Sequence, residues 1–499
     1  MSFSASVLEL VEKSQSGLVG KAPWWERVSL GQIAKILNGY PWKAAFFNGQ
    51  QGIPVVRIRD VTSGASETLY NGPLEEGFWI EDGDLLVGMD GDFNSRIWTA
   101  GKALLNQRVC RIAPNENLYL KEFLALVLPG YLKLINDETH SITVKHLSSR
   151  TLSEIPLPLP SVSEQHRIVA KIDGMSAKSR RARDHLDHIS RLVERYKQAI
   201  LRAAYRGDLT KDWRESHPTK KMGRELRADL LSIKLERELS TRGQKDRYQP
   251  DFSLERDLPD LPQTWTWMPV EALSSKVVDG VHKKPTYVKS GVPFLTVKNL
   301  TAGNGISFSE CKFVSQSDHL EFIKRTKPEN GDILITKDGT LGVVRAIRND
   351  IEFSIFVSLA LVKPYDRRIT DYLEFAFMSP QVQDQMVGVG SGLQHIHLTD
   401  LRRDFIPIAP PDERLEIVRR VRTALSWIDR LASETNSACI LVDRLDQAIF
   451  AKAFRGELVP QEPSDEPASV LLERAKTQLT TVTPAKGNGR GRPKATATS

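Results

Sequence analysis

The sequence predicts an α/β (α+β) fold in which one structural module occurs twice. Residues 198–209 reappear as residues 447–458, at an offset of 249 residues in a chain of 499. A strand-like segment at 83–87 also returns, as residues 331–335. Because a repeat at half the chain length indicates a duplicated structural unit, we predict two similar domains separated by two long helices.

Short β-strands are predicted inside each copy of the module. The segments 52–56 and 291–295 correspond to each other, are rich in apolar strand formers and begin with glycine, which is typical of strands bounded by turns. Proline clusters at 155–160 and 406–411 follow the two strand-rich regions. Each cluster therefore predicts the end of a module and the start of a helix.

Two long helices are predicted after the proline clusters. Apolar residues follow each other at spacings of four and three, which is the 3.5-residue period of a left-handed coiled coil, and we therefore expect the helices to pack on each other. The alternative is two amphipathic helices that pack only on separate cores. The predicted seam consists of Ile168, Ile172, Leu186, Ile189, Val193, Ile200, Ile417, Val421, Ile428, Leu431, Val442, Leu445 and Ile449.

Chain order predicts the direction of this pair. The first helix leads from the first module to the second, so the second helix must return if the two are to pack together. The pair is therefore expected to be an antiparallel coiled coil with pseudo-two-fold symmetry. Local two-fold symmetry is also a property of duplex DNA, and a protein of matching symmetry can present one module to each half-site.

Composition limits the function classes. A formal charge of +7 and a pI near 9.1 are compatible with a polyanionic partner. Three widely separated cysteines indicate neither a disulfide framework nor a zinc cluster, which favours a reducing, cytoplasmic location. No apolar run approaches the ~20 residues that span a bilayer, and the N-terminal residues do not resemble a signal peptide. We expect no membrane association.

Three motifs in this order resemble the specificity subunit of type I restriction-modification enzymes. They are residues 158–165 before the first helix, residues 331–334 in a strand module and residues 453–460 after the second helix. The resemblance implies two target recognition domains, each of which reads one half of a bipartite, asymmetric DNA sequence. It also implies that the helices set the unread gap between the two halves.

The resemblance implies further partners and a domain order. Double-stranded DNA, two modification (methyltransferase) subunits and two restriction (translocase and nuclease) subunits are the expected partners. The chain itself would be non-catalytic and bind no cofactor, while the partner subunits use S-adenosylmethionine, ATP and Mg. The expected order is an N-terminal extension (1–21), the first target recognition domain (22–160), the first conserved coiled-coil helix (161–207), a charged helical connector (208–262), the second target recognition domain (263–411), the second conserved coiled-coil helix (412–456) and a partly disordered C-terminal tail (457–499).

No catalytic or metal-binding motif is predicted. The sequence around Pro410 and Pro411 lacks the acid or amide and the aromatic residue of an amino-methyltransferase loop. No P-loop or HExxH motif occurs in the sequence. The glycine-rich turn at 388–395 is close to a turn of the family, whereas residues 137–142 of the first module contain no glycine. The histidines 185 and 188 flank the predicted seam residue Leu186 and are expected to be solvated, and no metal site is expected at this pair or at the pair 395/397.

Polar residues in glycine-flanked loops are the best candidates for DNA contacts, because base edges are read by side chains that reach into a groove. A basic run at 178–183 and an AT-hook-like segment at 489–494 are weaker candidates. A self-contained DNA-modifying enzyme and a coiled-coil scaffold without DNA-reading activity stay open as alternatives. The candidate DNA-binding residues are Tyr40, Lys43, Asp90, Asp92, Asn94, Arg96, Lys283, Lys284, Lys337, Asp338, Thr340, Gln394 and His395.

Overall fold

The computed structural model describes residues 6–47, 51–138, 146–242, 251–386, 388, 394–467 and 469–474. The chain divides into two compact units. The first unit consists of residues 1–186 with residues 437–499, and the second consists of residues 187–436. Each unit therefore contains one strand-rich module together with a part of each long helix.

Helix α1 (Val7–Lys13) of the first unit lies within the predicted N-terminal extension, residues 1–21. Val7 and Val11 of this helix are buried in the main core of the unit. The helices are α1 (Val7–Lys13), α2 (Leu30–Ile33), α3 (Ile58–Ser63), α4 (Lys121–Glu138), α5 (Ser149–Ser153) and α6 (Val162–Arg206). The strands are β1 (Glu26–Ser29), β2 (Ala34–Asn38), β3 (Ile53–Val56), β4 (Leu69–Tyr70), β5 (Trp79–Ile80), β6 (Leu85–Gly88), β7 (Ser95–Ile97), β8 (Ala103–Leu105), β9 (Val109–Pro114) and β10 (Pro156–Leu159).

The second unit repeats this order after a helical connection. The helices are α7 (Lys211–Ser216), α8 (Gly223–Arg242), α9 (Val270–Leu273), α10 (Val297–Thr301), α11 (Gln316–Arg325), α12 (Thr370–Met378), α13 (Pro380–Gln383), α14 (Leu398–Arg403) and α15 (Pro411–Phe454). The strands are β11 (Thr266–Pro269), β12 (Ser274–Asp279), β13 (Val292–Leu295), β14 (Lys312–Val314), β15 (Ile333–Thr336), β16 (Val344–Ala346), β17 (Ser354–Ile355), β18 (Leu359–Pro364) and β19 (Phe405–Ile408).

The two units share one sheet plan. An antiparallel sheet has the order β2-β9-β6-β7 in the first unit and β12-β18-β15-β16 in the second. A mixed sheet has the order β4-β3-β8-β5 in the first unit and β14-β13-β17 in the second, where α11 packs against β17. Antiparallel ribbons of β1 with β10 and of β11 with β19 complete the correspondence. The predicted duplication is confirmed for each strand of the second unit, and α11 packs against β17 where β5 pairs with β8 in the first unit.

Both long helices enter the core of each unit. In the first unit, Ile168 and Ile172 of α6 are buried in the same core as Ile449 and Phe454 of α15. The Ser179 hydroxyl of α6 donates to an Asp446 carboxylate oxygen of α15 at 2.6 Å. The beginning of α6 thus meets the end of α15, which is the predicted antiparallel pairing.

In the second unit, the end of α6 and the start of α15 lie in one core. Leu201 and Tyr205 near the end of α6 share a core with Ile417 and Val421 near the start of α15. The Tyr205 hydroxyl donates to the carbonyl oxygen of Tyr372 at 2.6 Å. The end of α6 therefore packs beside the beginning of α15, and the pairing is antiparallel in this unit as well.

The strict heptad seam was wrong in the middle of the helices. Leu431 and Leu445 of the predicted seam are 43% and 52% exposed, whereas Thr435 is buried and Asp446 takes part in the helix contact. Ile428, Thr435, Val442 and Ile449 keep one seven-residue register and are buried or half-buried. The intervening heptad position, occupied by Leu431 and Leu445, therefore faces outward in this stretch. The other predicted seam residues are buried or half-buried: Ile168, Ile172, Leu186, Ile189, Val193, Ile200, Ile417, Val421, Ile428, Val442 and Ile449.

Two predicted segments lie mainly or wholly outside the described residues. Most of the glycine-rich turn at 388–395 and all of the AT-hook-like segment at 489–494 belong to this group. Among the described residues, no helix combines the length and the apolar content that a membrane crossing requires.

Candidate nucleic-acid interface

A cleft of about 610 Å³ opens in the first module. It lies between a 3-10 turn at Ala44–Phe46, the start of α3 and the turn from β8 to β9. The cleft combines three arginines with amide and aromatic side chains, a composition suited to contacts with bases and phosphates. The lining residues are Trp42, Ala44, Phe47, Arg57, Ile58, Arg59, Asn106, Gln107 and Arg108.

Packing of aromatic rings around Trp42 holds one wall of the cleft in place. The Trp42 indole N–H donates to the carbonyl oxygen of Leu105 at 3.0 Å. The Trp42 ring lies 4.9 Å from the ring of Tyr40 and 5.1 Å from that of Tyr70. A Cβ on Gly39 would lie 2.1 Å from the Asn106 carbonyl oxygen, so glycine is required where the end of β2 approaches this turn.

The three arginines of the cleft differ in their partners. Arg108 Nε lies 3.2 Å from Asp90 Oδ2, and Asp90 Oδ1 lies 2.5 Å from His146 Nδ1. Arg59 Nε lies 3.5 Å from an oxygen of the buried Asp60. Among the residues that the structure describes, the guanidinium of Arg57 has no ion pair or hydrogen bond. Within the described part of the chain, Arg57 is therefore the cleft arginine whose guanidinium donors have no protein partner.

Tyr40, Lys43 and Asp90 of the predicted residues lie at or beside this cleft. Tyr40 belongs to the aromatic packing, Lys43 is exposed directly before the 3-10 turn, and Asp90 holds Arg108. The structure thus brings together predicted residues from two separate loops of the first module, the loop after β2 and the loop after β6. Their meeting supports the choice of these loops.

Asn94, Arg96 and Asp92 make contacts within the protein. The Asn94 amide donates to the Thr62 hydroxyl at 2.6 Å, and the Arg96 guanidinium donates to the Thr62 carbonyl oxygen at 2.8 Å. These two side chains thereby cover the end of α3. Asp92 is exposed and accepts a hydrogen bond from the Asn136 amide at 3.4 Å.

The second module gathers its cations around a buried carboxylate. One oxygen of Asp279 lies 2.6 Å from the Arg325 guanidinium and 3.1 Å from His282 Nε2, and the other lies 3.6 Å from Lys337 Nζ. Lys337 Nζ also lies 3.9 Å from Asp338 Oδ2, so two carboxylates face the permanent positive charges of Arg325 and Lys337. The cluster is therefore a charge-balanced network on the loops of the second module.

The other predicted residues of the second module lie on nearby loops. Lys283 and Lys284 are exposed and directly follow His282 of the cluster. Asp338 forms a backbone bridge with His395, as Asp90 does with His146 in the first module. Thr340 and Gln394 are exposed. The structure therefore brings Lys337, Asp338 and His395 together.

Sequence reasoning missed several residues of these two sites. One signal was present in the sequence: Asp90 and Asp338, like His146 and His395, are separated by about the offset of the repeat. The remaining residues meet only through strand pairing and had no comparable signal. The missed residues are Arg57, Arg59, Arg108, His146, Asp279, His282 and Arg325.

The basic run of α6 is partly engaged inside the first unit. The Arg183 guanidinium donates to Asp443 at 2.8 Å and to Asp446 at 2.6 Å, so this residue stabilises the contact with α15. Lys178, Arg180 and Arg181 are exposed, and so are His185 and His188. Within the described part of the chain, no group of three or more His, Cys, Asp or Glu residues is arranged to hold a metal ion.

Comparison with known proteins identifies the family to which the chain is similar. The family model of the type I restriction modification DNA specificity domain matches residues 24–183. The specificity subunit of the type I restriction enzyme EcoBI from Escherichia coli is 34% identical, and the match covers 96% of this chain and 97% of the relative. The EcoDI specificity subunit from Escherichia coli is 26% identical, with 92% of this chain and 96% of the relative covered.

A solved structure supports the fold. It concerns the complex assembly and conformational transition of a type I restriction-modification system. One of its chains matches 88% of this chain and 99% of its own length with a TM-score of 0.62 at 19% identity. The likeness covers most of the chain and, at this identity, concerns the fold.

Proposed function

Because the chain belongs to the specificity subunits of type I restriction-modification systems, the non-catalytic DNA-recognition members of those complexes, we propose that each of its modules reads one half of a bipartite, asymmetric DNA sequence. The observation that carries this proposal is the shared sheet plan with different residues at equivalent loop positions. A duplicated scaffold with unlike loops suits a site whose two halves differ.

Strand pairing defines the equivalent positions. Val55 lies opposite Leu104 in the first unit, as Phe294 lies opposite Ser354 in the second. Counting onward from these pairs, Arg57 corresponds to Thr296 and Arg108 to Ser358. The first module thus offers guanidinium groups where the second offers hydroxyls, which would lead to different base preferences.

We propose that the long helices are the docking surface for two modification subunits. Exposed apolar side chains on α15 support this role, including Trp427 at 75% exposure in the second unit and Leu441 in the first. Large exposed apolar side chains are typical of interaction surfaces. Two restriction subunits would complete the complex, and S-adenosylmethionine, ATP and Mg would be used by these partners. A cytoplasmic location follows from this role.

The spacing role of the helices can be tested by lengthening them. Seven residues are inserted into α6 after Leu186 and into α15 after Asn436, which extends both helices by about 10 Å. Mapping of N6-methyladenine in cells that express the modification subunits should show both half-sequences unchanged. The unread gap should grow by about three base pairs, since one base pair rises about 3.4 Å.

Insertion into one helix alone is the matched control. It shifts one helix against the other, breaks contacts such as Ser179 with Asp446, and should abolish methylation. Altered half-sequences with an unchanged gap in the double insertion would contradict the spacing role. A wild-type methylation map without any two-part motif would contradict the proposed function itself.

A further inference from the structure

We propose that Arg57 recognises a guanine in the half-site that the first module reads, an inference that rests on the proposed function above. Arg57 lines the cleft and is exposed. The chemistry suits the base, because a guanidinium donates two parallel hydrogen bonds to guanine O6 and N7, the commonest specific contact of an amino acid with a base in the major groove.

Charge pairing separates Arg57 from its neighbours. Asp60 lies beside Arg59, and Asp90 beside Arg108, so both of those guanidinium groups have a carboxylate within 3.5 Å. No such carboxylate faces the Arg57 guanidinium among the described residues. A base-reading arginine needs its donors unoccupied before DNA arrives, because a competing ion pair must first be broken.

The backbone of Arg57 is fixed on both sides. It follows directly after Val56 of β3, which pairs with Leu105 of β8. Its own N–H donates to Asp60 Oδ2 at 2.8 Å and caps α3. Because the backbone is already fixed, contact with a base edge costs the rotamer entropy of the arginine side chain but no backbone entropy. This placement favours recognition of one base over a diffuse attraction to phosphate.

The second module preserves the backbone arrangement and lacks the guanidinium. There the N–H of Thr296 donates to the Asn299 side-chain oxygen at 2.8 Å. This hydrogen bond corresponds to the one from the Arg57 N–H to Asp60, and in both units the acceptor lies three residues after the donor at the start of a short helix. Thr296 is too short to make the two parallel bonds of arginine. A guanine read from this position is therefore confined to one half-site.

The experiment uses the full chain in complex with its modification subunits. Methylation of a DNA library with randomised half-sites is compared for the wild type, Arg57→Thr and Arg57→Lys. The Arg57→Thr variant copies the second module and is expected to fold, which thermal unfolding verifies. Lys133→Ala, an exposed charge removal on α4 of the same unit, is the control.

Arg57→Thr should relax the preference for guanine at one position of one half-site by roughly 5- to 150-fold. Arg57→Lys should relax the same position while it retains more overall methylation, because lysine keeps the charge and loses the planar fork. The preferences of the other half-site should not change. Lys133→Ala should leave both half-sites as in the wild type.

Three outcomes would overturn the inference. One is a wild-type half-site without a position that changes in the Arg57 variants. Another is a loss of binding that is uniform across DNA sequences, with the slope of log K against log salt concentration reduced by about one, which indicates a lost phosphate contact. The third is relaxation of both half-sites together. The proposed function survives each of these results as long as the wild type methylates a two-part motif.

Discussion

The two units differ in the hydrogen-bond partners of the glutamate near the start of each long helix. In the second unit, Glu413 accepts hydrogen bonds from the Trp265 indole at 2.8 Å, from the Thr210 hydroxyl at 2.7 Å and from Arg214 at 2.5 Å. In the first unit, Glu164 accepts one from the Trp25 indole at 3.0 Å. The tryptophan contact is shared, and the surrounding charges are not.

This difference shows which parts of the duplicated module are scaffold. The tryptophan-to-acid contact, the helix cap after the third strand and the close approach at Gly39 or Gly280 recur in both units. Side chains around these fixed points vary in charge and size. Equivalent substitutions in the two units should therefore have unequal effects, and the following predictions use that inequality.

The largest expected effect is that of Glu413→Gln, compared with Glu164→Gln. The first change leaves the half-buried Arg214 without its charge partner and should destabilise the second unit by roughly 3 kcal/mol. Burial raises the pKa of Glu164, the opposite of what a close ion pair does, and Glu164→Gln should cost less than about 0.5 kcal/mol. Hydrogen exchange read by mass spectrometry distinguishes the units. Equal losses of protection would refute the asymmetry.

Asp404 should make the second unit sensitive to pH. Burial raises its pKa to about 7, and Asp400 adds to the rise. Below pH ~4 the carboxyl is protonated in both states, and the folded state retains its proton to higher pH than the unfolded state, so the free energy of unfolding falls as pH rises toward 7. At pH 8, Asp404→Asn should stabilise the second unit by on the order of 2 kcal/mol.

The first unit provides the internal control for that prediction. Ile155 occupies the equivalent place: its carbonyl oxygen accepts from Leu30, as that of Asp404 accepts from Val270. Stability of the first unit should therefore be insensitive to the Asp404 substitution at any pH. If Asp404→Asn had the same effect on the second unit at pH 5 and at pH 8, the raised pKa would be disproved as its cause.

Exchange of the repeated aromatic residues should have a smaller effect. Tyr205→Phe removes the hydroxyl that donates to the Tyr372 carbonyl and should cost about 1 kcal/mol in the second unit. In the first unit, Phe454 packs against Phe123 at 6.4 Å between ring centroids. Phe454→Tyr should also destabilise, because a buried hydroxyl there needs a new acceptor. Stabilisation by either exchange, measured by hydrogen exchange, would contradict these assignments.

The smallest effect is expected for Lys43→Ala and Lys284→Ala, which remove exposed lysines at equivalent positions. As phosphate contacts, each should lower the salt dependence of DNA binding by about one ion and leave sequence preference unchanged. Titration of the assembled complex with its DNA at several salt concentrations checks this. A change in the preferred bases would instead assign the lysine to base recognition.

Local patterns in the sequence predicted the duplication, the strands and the two helices correctly. Periodicity depends on residues that are near each other in the chain, which is why Ile168, Ile172 and Ile417 of the predicted seam are buried. The same reasoning failed at Leu431 and Leu445, although Ile428, Val442 and Ile449 in the same stretch are buried or half-buried. Tertiary packing, rather than the spacing of apolar residues, decides which of the two heptad positions is covered.

The candidate sites were only partly predictable. Tyr40 and Lys43 follow a glycine turn and could be chosen from the sequence alone. Arg57 and Arg108 are 51 positions apart in the sequence and line one cleft because β3 pairs with β8. Asp279 had no sequence signal for its role, since the cations around it come from separate elements.

The sequence by itself determined that the chain is a doubled module with two long helices, because repeats and periodicity are recorded in the order of residues. Only the tertiary structure decided which charged groups are neutralised and which stay available. Arg57, which has no carboxylate partner among the residues that the structure describes, Arg108 beside Asp90 and the buried Asp404 differ in partners and burial, not in any local pattern. Electrostatic interactions act through space, so their outcome depends on neighbours that folding brings together.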